Sequence, residues 1–196
     1  MSATREILID KATELFLGRA YGDVGTNELC RAAGVNKGTF YHFFPSKSDL
    51  LIAAIKHYAS SFAQAFQKIA DSDSTPSLKL THLFDVPMEA NLSWQTQHGY
   101  AQGCLVGNMS LELSGRSEPI RIAVQSAFAS WKAPIRAIIE ELSAENTLPK
   151  IDPDKGADIV IALIQGGLLL AKSHNDPSRI KMLAHGALAH LKSLSA

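Results

Sequence analysis

One short stretch concentrates residue types that could grip a DNA duplex: Thr26, Lys37, Gly38, Thr39, Tyr41, His42 and Lys47. Lysine offers N–H donors to guanine or phosphate. Threonine, tyrosine and histidine add hydrogen bonds and flat contact surface, and Gly38 leaves room for a close backbone approach. Thr26 and Lys47 fall where helices would begin, so exposed amides and the helix dipole would help them hold phosphates. Read without that purpose, the same residues form an ordinary solvated polar face. A second chemistry is written at Cys104, which opens an expected short helix whose dipole favours thiolate; a cation from Lys172 would add to the effect if the chain folds back to it. Such a thiolate could react with an electrophile or be oxidised to sulfenate. The competing reading is a small buried hydrophobe. A third group, Phe62, Phe66, Phe84, Met88, Trp94, Asn108, Phe128 and Trp131, has the mix of apolar surface and few polar groups that lines a ligand pocket. Each of them taken singly also fits plain core.

The elements that must position the first group follow from local signals. Thr26 can cap a helix carrying Leu29, Cys30 and Ala33; Gly34 supplies a tight turn and Val35 an apolar plug. Asn36 caps the next helix, which puts Lys37 to His42 on its first two turns and Phe40, Phe43 and Phe44 on its back. That is the layout of a recognition helix for a major groove. An amphipathic helix over residues 4–20, with Leu8, Ala12, Leu15 and Phe16 inward, would cover these two. Pro45 interrupts the chain, and Ser46 with Asp49 makes a partial capping box for a long helix reaching about Ala70. The expected division is therefore 1–46, a helix-turn-helix DNA-binding domain, and 47–196, a regulatory and dimerisation domain.

Beyond a turn-type linker at 71–76, helical patterns cover 78–97, kinked or split by Pro87, and 104–113, then a long helix from Ser117 bent by Pro134. A loop from Asn146 to Pro153 precedes two last helices, Asp154 to Ser173 and Pro177 to Ser195. Small residues on these two suit either a dimer seam or burial within one monomer. With no strand pattern and no internal repeat, the fold class is all-α, about nine helices.

Totals narrow the function. The 196 residues carry zero net charge, so nucleic acid would be recognised by a few placed contacts and not by bulk charge. Two cysteines give neither a disulfide framework nor zinc spacing, which fits a reducing, cytoplasmic setting without metal or cofactor. The most apolar run, Ala157 to Ala171, is shorter than the roughly 20 residues of a membrane span, so no membrane partner is expected.

From Thr26 through Leu29-Cys30-Arg31-Ala32-Ala33-Gly34-Val35-Asn36-Lys37-Gly38-Thr39-Phe40-Tyr41-His42-Phe43-Phe44-Pro45-Ser46-Lys47 to Leu50, the chain resembles the DNA-binding signature of the TetR family of bacterial repressors. The resemblance implies a homodimer, a palindromic double-stranded operator and a C-terminal domain that answers a small-molecule or electrophile effector. Gln102-Gly103-Cys104-Leu105, before a segment ending Leu111-Glu112-Leu113-Ser114, is similar to the branch that includes the repressor of N-ethylmaleimide reductase. That similarity implies electrophile or oxidant sensing at Cys104 and a lysine at the position of Lys172. Two other classes stay open on residues alone. A thiol enzyme using Cys104 would need a paired base, and the histidines show no such constellation; a dimeric ligand carrier would leave the DNA motif idle.

Overall fold

The computed structural model describes residues 2–148 and 150–194, and the regular elements among them are helical. In chain order they are α1 (Ala3–Gly18), a 3-10 turn (Tyr21–Asp23), α2 (Thr26–Ala32), α3 (Lys37–Phe43), α4 (Lys47–Ala70), α5 (Pro76–His98), α6 (Leu105–Leu113), α7 (Glu118–Ala144), α8 (Pro153–His174) and α9 (Ser178–Ser193). The Ser195 expected to end the last helix lies outside the described residues. By compactness the chain forms two units: residues 1–60 with 105–127, and residues 61–104 with 128–196.

In the first unit, α1 buries Leu8, Ala12 and Phe16 and packs on α2 and α6, and α2 packs on α3. Gly34 adopts φ +66°, the left-handed turn that glycine accepts without strain. Asn36 caps α3 through its side-chain oxygen, which accepts the Thr39 N–H at 2.8 Å. The box at the start of α4 is also present: the Asp49 N–H donates to Ser46 Oγ at 3.1 Å, and the Ser46 hydroxyl donates to Asp49 Oδ2 at 2.7 Å. Thr26 differs from expectation. It is the first residue of α2, with Gly25 before it and no side-chain cap.

In the second unit, α5, α8 and α9 pack on one another over Leu80, Leu83, Phe84, Val160, Ile164 and Ile180. Pro87 neither splits nor ends α5, which runs through it as one helix of 23 residues. Proline removes a single N–H there, and the carbonyl of Pro87 accepts a bond from the Asn91 side chain at 2.9 Å. Pro153 opens α8 instead of belonging to the loop, a position where the missing N–H costs nothing, with Asp152 as cap. At 22 residues α8 exceeds the run expected for it and is long and apolar enough to cross a membrane by composition alone; here it packs against α5 and α9. Lys79 is buried, and its ammonium donates to the Ala70 carbonyl at 2.7 Å and to Glu141 Oε2 at 2.8 Å, which joins α5 to the end of α4 and to α7.

Candidate nucleic-acid interface

Helix α3 presents Lys37, Gly38, Tyr41 and His42 to solvent and keeps Thr39 half-buried, while Phe40 is fully buried behind them. The Tyr41 ring, 51% exposed, meets the edge of Phe40 at 5.1 Å between centroids, and His42 meets Phe43 at 4.9 Å. Both polar tips are therefore braced at their ring roots and open at their ends. At Gly38 an added Cβ would lie 3.2 Å from the Asn36 oxygen that caps the helix. Glycine thus protects the cap as well as leaving the surface low.

Lys47 is engaged before any DNA arrives. Its ammonium donates to the carbonyls of Tyr21 and Val24, at 2.8 Å each, and stands 3.9 Å from the Tyr21 ring centroid. Two of its three protons tie the start of α4 to the turn before α2. Burial lowers its pKa, opposed by the nearby Glu112; the Tyr21 phenol is raised, by burial first and then by Asp49 and Glu112. Spacing alone gave no sign of these partners, because they lie 26 and 23 residues away.

Cys104 is 4% exposed and immediately precedes α6. Its approach is fixed by Gly103 at φ +76°, a conformation other residues adopt only under strain. Asn91, wholly buried on α5, clasps that glycine from both sides: the Gly103 N–H donates to Asn91 Oδ1 at 2.8 Å, and Asn91 Nδ2 donates to the Gly103 carbonyl at 3.1 Å. Replacing Asn91 by alanine would strand two buried peptide groups, and we expect a loss of about 3 kcal/mol of unfolding free energy, read from urea denaturation; a change under about 0.5 kcal/mol would show that the clasp is dispensable.

The Gln165 amide of α8 donates to the Cys104 sulfur at 3.6 Å. Lys172 sits seven positions further on, roughly 10 Å along the same helix. It is exposed, and partial desolvation lowers its pKa. The structure thus brings Gln165 to the thiol, a residue visible in the sequence only as a polar interruption of the most apolar run.

Of the eight pocket candidates, Phe66, Phe84 and Trp131 are core, at 1%, 0% and 3% exposure. Trp131 gathers Phe62, Phe66 and Phe128 at ring separations of 5.9, 6.3 and 5.4 Å. Phe62, Phe128 and Met88 are half-buried. Trp94 instead stacks on His98 at 3.9 Å, at the end of α5. Asn108 lies on α6 and belongs to the first unit. That unit also holds an unforeseen groove of about 460 Å³ lined by Arg5, Ile9, Phe43, Phe44, Pro45, Asp49, Ile52, Ala53, Lys56, His57 and Ser60.

Comparison with known proteins covers both ends of the chain. The family described as "Bacterial regulatory proteins, tetR family" matches residues 8–54, and "Tetracyclin repressor-like, C-terminal domain" matches residues 84–186. The HTH-type transcriptional repressor DhaR of a Mycobacterium species is 32% identical over 170 residues, 86% of this chain and 82% of that protein. The HTH-type transcriptional repressor NemR of Escherichia coli is 29% identical over 195 residues, 98% of this chain and 94% of its own. The crystal structure of its reduced form aligns over 100% of this chain and 98% of that one, with TM-score 0.81 and 27% identity. A regulatory protein TetR from Rhodobacter sphaeroides aligns over 96% of this chain and 99% of its own, with TM-score 0.85 and 28% identity.

Proposed function

This chain belongs to the TetR family of bacterial regulatory proteins, and on that premise we propose that residues 1–46 read a palindromic operator through α3 while residues 47–196 dimerise and sense, with Cys104 as the sensing group. It is a DNA-binding transcriptional regulator, a repressor released by an effector. The observation that carries the reading is the build of α3: an Asn36 cap, the exposed Lys37, Tyr41 and His42, and the fully buried Phe40 behind them. Lys37, Thr39, Tyr41 and His42 contact base edges or phosphates, Gly38 allows the close approach, and Thr26 and Lys47 stand at the helix starts beside the backbone. The protein works in the cytoplasm, where its thiols stay reduced.

The dimer rests on α8 and α9, which expose Leu169 at 60% and Met182 at 58% beside small residues such as Gly166 and Gly186. Two copies of α3 would then meet half-sites one helical turn, roughly 34–36 Å, apart. For release, the Cys104 thiolate adds to the electron-poor carbon of an activated alkene; a C–S bond forms, the C=C π bond breaks, and its electron pair on the neighbouring carbon takes up a proton from water. The Gln165 amide donor beside the sulfur, the α6 N-terminus and the reduced form in which the NemR relative was solved support a thiol signal. Reversible binding of an apolar or aromatic molecule is the second reading, supported by the half-buried Phe62 and Phe128 around Trp131.

Fragments of the protein's own genome retained on immobilised wild type test the DNA reading. The expected catch is a fragment with an inverted repeat, lost with a Lys37→Ala, Tyr41→Ala double variant. An equal catch by both proteins would overturn it.

A further inference from the structure

A side chain on the last turn of α6 reaches the turn before α2. Glu112 Oε2 accepts the backbone N–H of Tyr21 at 3.1 Å, across 91 positions of sequence. The Tyr21 carbonyl, on the same residue, takes one of the two Lys47 bonds; Val24, whose carbonyl takes the other, is fully buried. Arg19 holds the carbonyl between them, donating to Asp23 O at 2.6 Å. Three backbone carbonyls and one amide of the short turn before α2 are thus held by the side chains of Arg19, just past α1, of Lys47 on α4 and of Glu112 on α6. A half-exposed turn could give these groups to water, so holding the amide with a carboxylate serves position more than solvation.

We propose that Glu112 is a positioning residue for operator binding: its carboxylate fixes the Tyr21 amide and, through the Tyr21 and Val24 carbonyls, the Lys47 ammonium, so that the starts of α2 and α4 keep their place only while α6 keeps its own. The inference rests on the reading of α2 to α4 as the DNA-binding element. Helix α6 is short and buries Leu105, Val106, Met109 and Leu113, so a displacement of its start would carry the helix as one rigid piece. Glu112 stands eight residues after Cys104, roughly 12 Å along the axis. A displacement at the first turn therefore arrives at Glu112 little diminished, and a shift of about 1 Å is enough to break a hydrogen bond at this distance.

The test uses full-length wild type, Glu112→Ala and Glu112→Gln on the genomic fragment that wild type retains, with N-ethylmaleimide as the thiol probe. Glu112→Ala is expected to speed exchange of the Tyr21 amide at least about 10-fold, to weaken DNA binding about 10-fold, and to cut the further loss on alkylation to less than about twofold. Glu112→Gln keeps an acceptor oxygen and should bind within about threefold of wild type. Faster Tyr21 exchange with unchanged DNA affinity would overturn the positioning role, as would a Glu112→Gln variant no better than Glu112→Ala. If alkylation leaves wild type on its DNA, the thiol reading of Cys104 fails; the affinity and exchange of the two variants then decide for or against Glu112 by themselves.

Discussion

Lys37→Ala is expected to weaken operator binding about 100-fold while leaving the fold as stable as before. Each lost contact of this kind costs about 1–3 kcal/mol. A homodimer loses it twice, so about 1.5 kcal/mol per half-site gives about 3 kcal/mol, or two decades. Lys37 is exposed, and the helix behind it is capped by Asn36 through the Thr39 amide and not by the lysine. Its removal should change unfolding free energy by less than about 0.5 kcal/mol. If Lys37 meets phosphate, the salt dependence of binding should also flatten by about two counterions per dimer. Fluorescence anisotropy at several salt concentrations, beside thermal melting, separates these terms. Lys47→Ala supplies the contrast, because losing its bonds to the Tyr21 and Val24 carbonyls must lower stability as well as affinity. Equal stability losses in the two variants would contradict the assignment of Lys37 to the DNA surface.

N-ethylmaleimide should release the wild-type protein from its operator by at least about 10-fold, and a Cys104→Ser variant by less than about twofold. The thiol is 4% exposed, beside the Asn91-held Gly103 and the Gln165 amide, one residue before α6. Close-packed surroundings have no room for a succinimide ring, so the adduct must displace the 99–103 segment or the start of α6. An adduct that the DNA-bound arrangement tolerates about 1.4 kcal/mol less well than the free one already shifts affinity 10-fold. Serine keeps the size of the residue and removes the nucleophile. Cys30, buried on α2, should prove indifferent, so Cys30→Ser is expected to respond as wild type does. Anisotropy titrations before and after treatment, with adduct mass measured on the intact chain, decide it. Release of Cys104→Ser equal to wild type would transfer the signal to a non-covalent ligand.

The parts of the site legible in sequence are those whose causes lie within four residues. The Gly34 turn, the Asn36 cap, the Pro45 break and the Ser46–Asp49 box are local, and each stands where the pattern put it. Thr26 shows the limit even there: a good capping residue became the first helical residue because the chain turned one position earlier, at Gly25. Pro87 does not split α5, because a helix inside a bundle survives the loss of one bond when packing holds both halves. Lys47 reads from its position as a helix-start cation for phosphate, and its partners in the free protein are carbonyls that only the tertiary fold brings near. The same holds for Asn91 with Gly103 and for Glu112 with Tyr21, 12 and 91 positions apart. No periodicity announces such pairs. The aromatic candidates divided on burial, which composition cannot order: Trp131 and Phe84 went to the core, and Trp94 to a stack with His98.

Hydrogen exchange on the full-length protein, free, bound to its operator, and bound then treated with N-ethylmaleimide, tests the central claim most directly. Reading by α3 and release through Cys104 predict that DNA slows exchange in residues 36–43 and that alkylation restores the free rate there. Protection confined to other surfaces, with α3 exchanging alike in all three states, would contradict it.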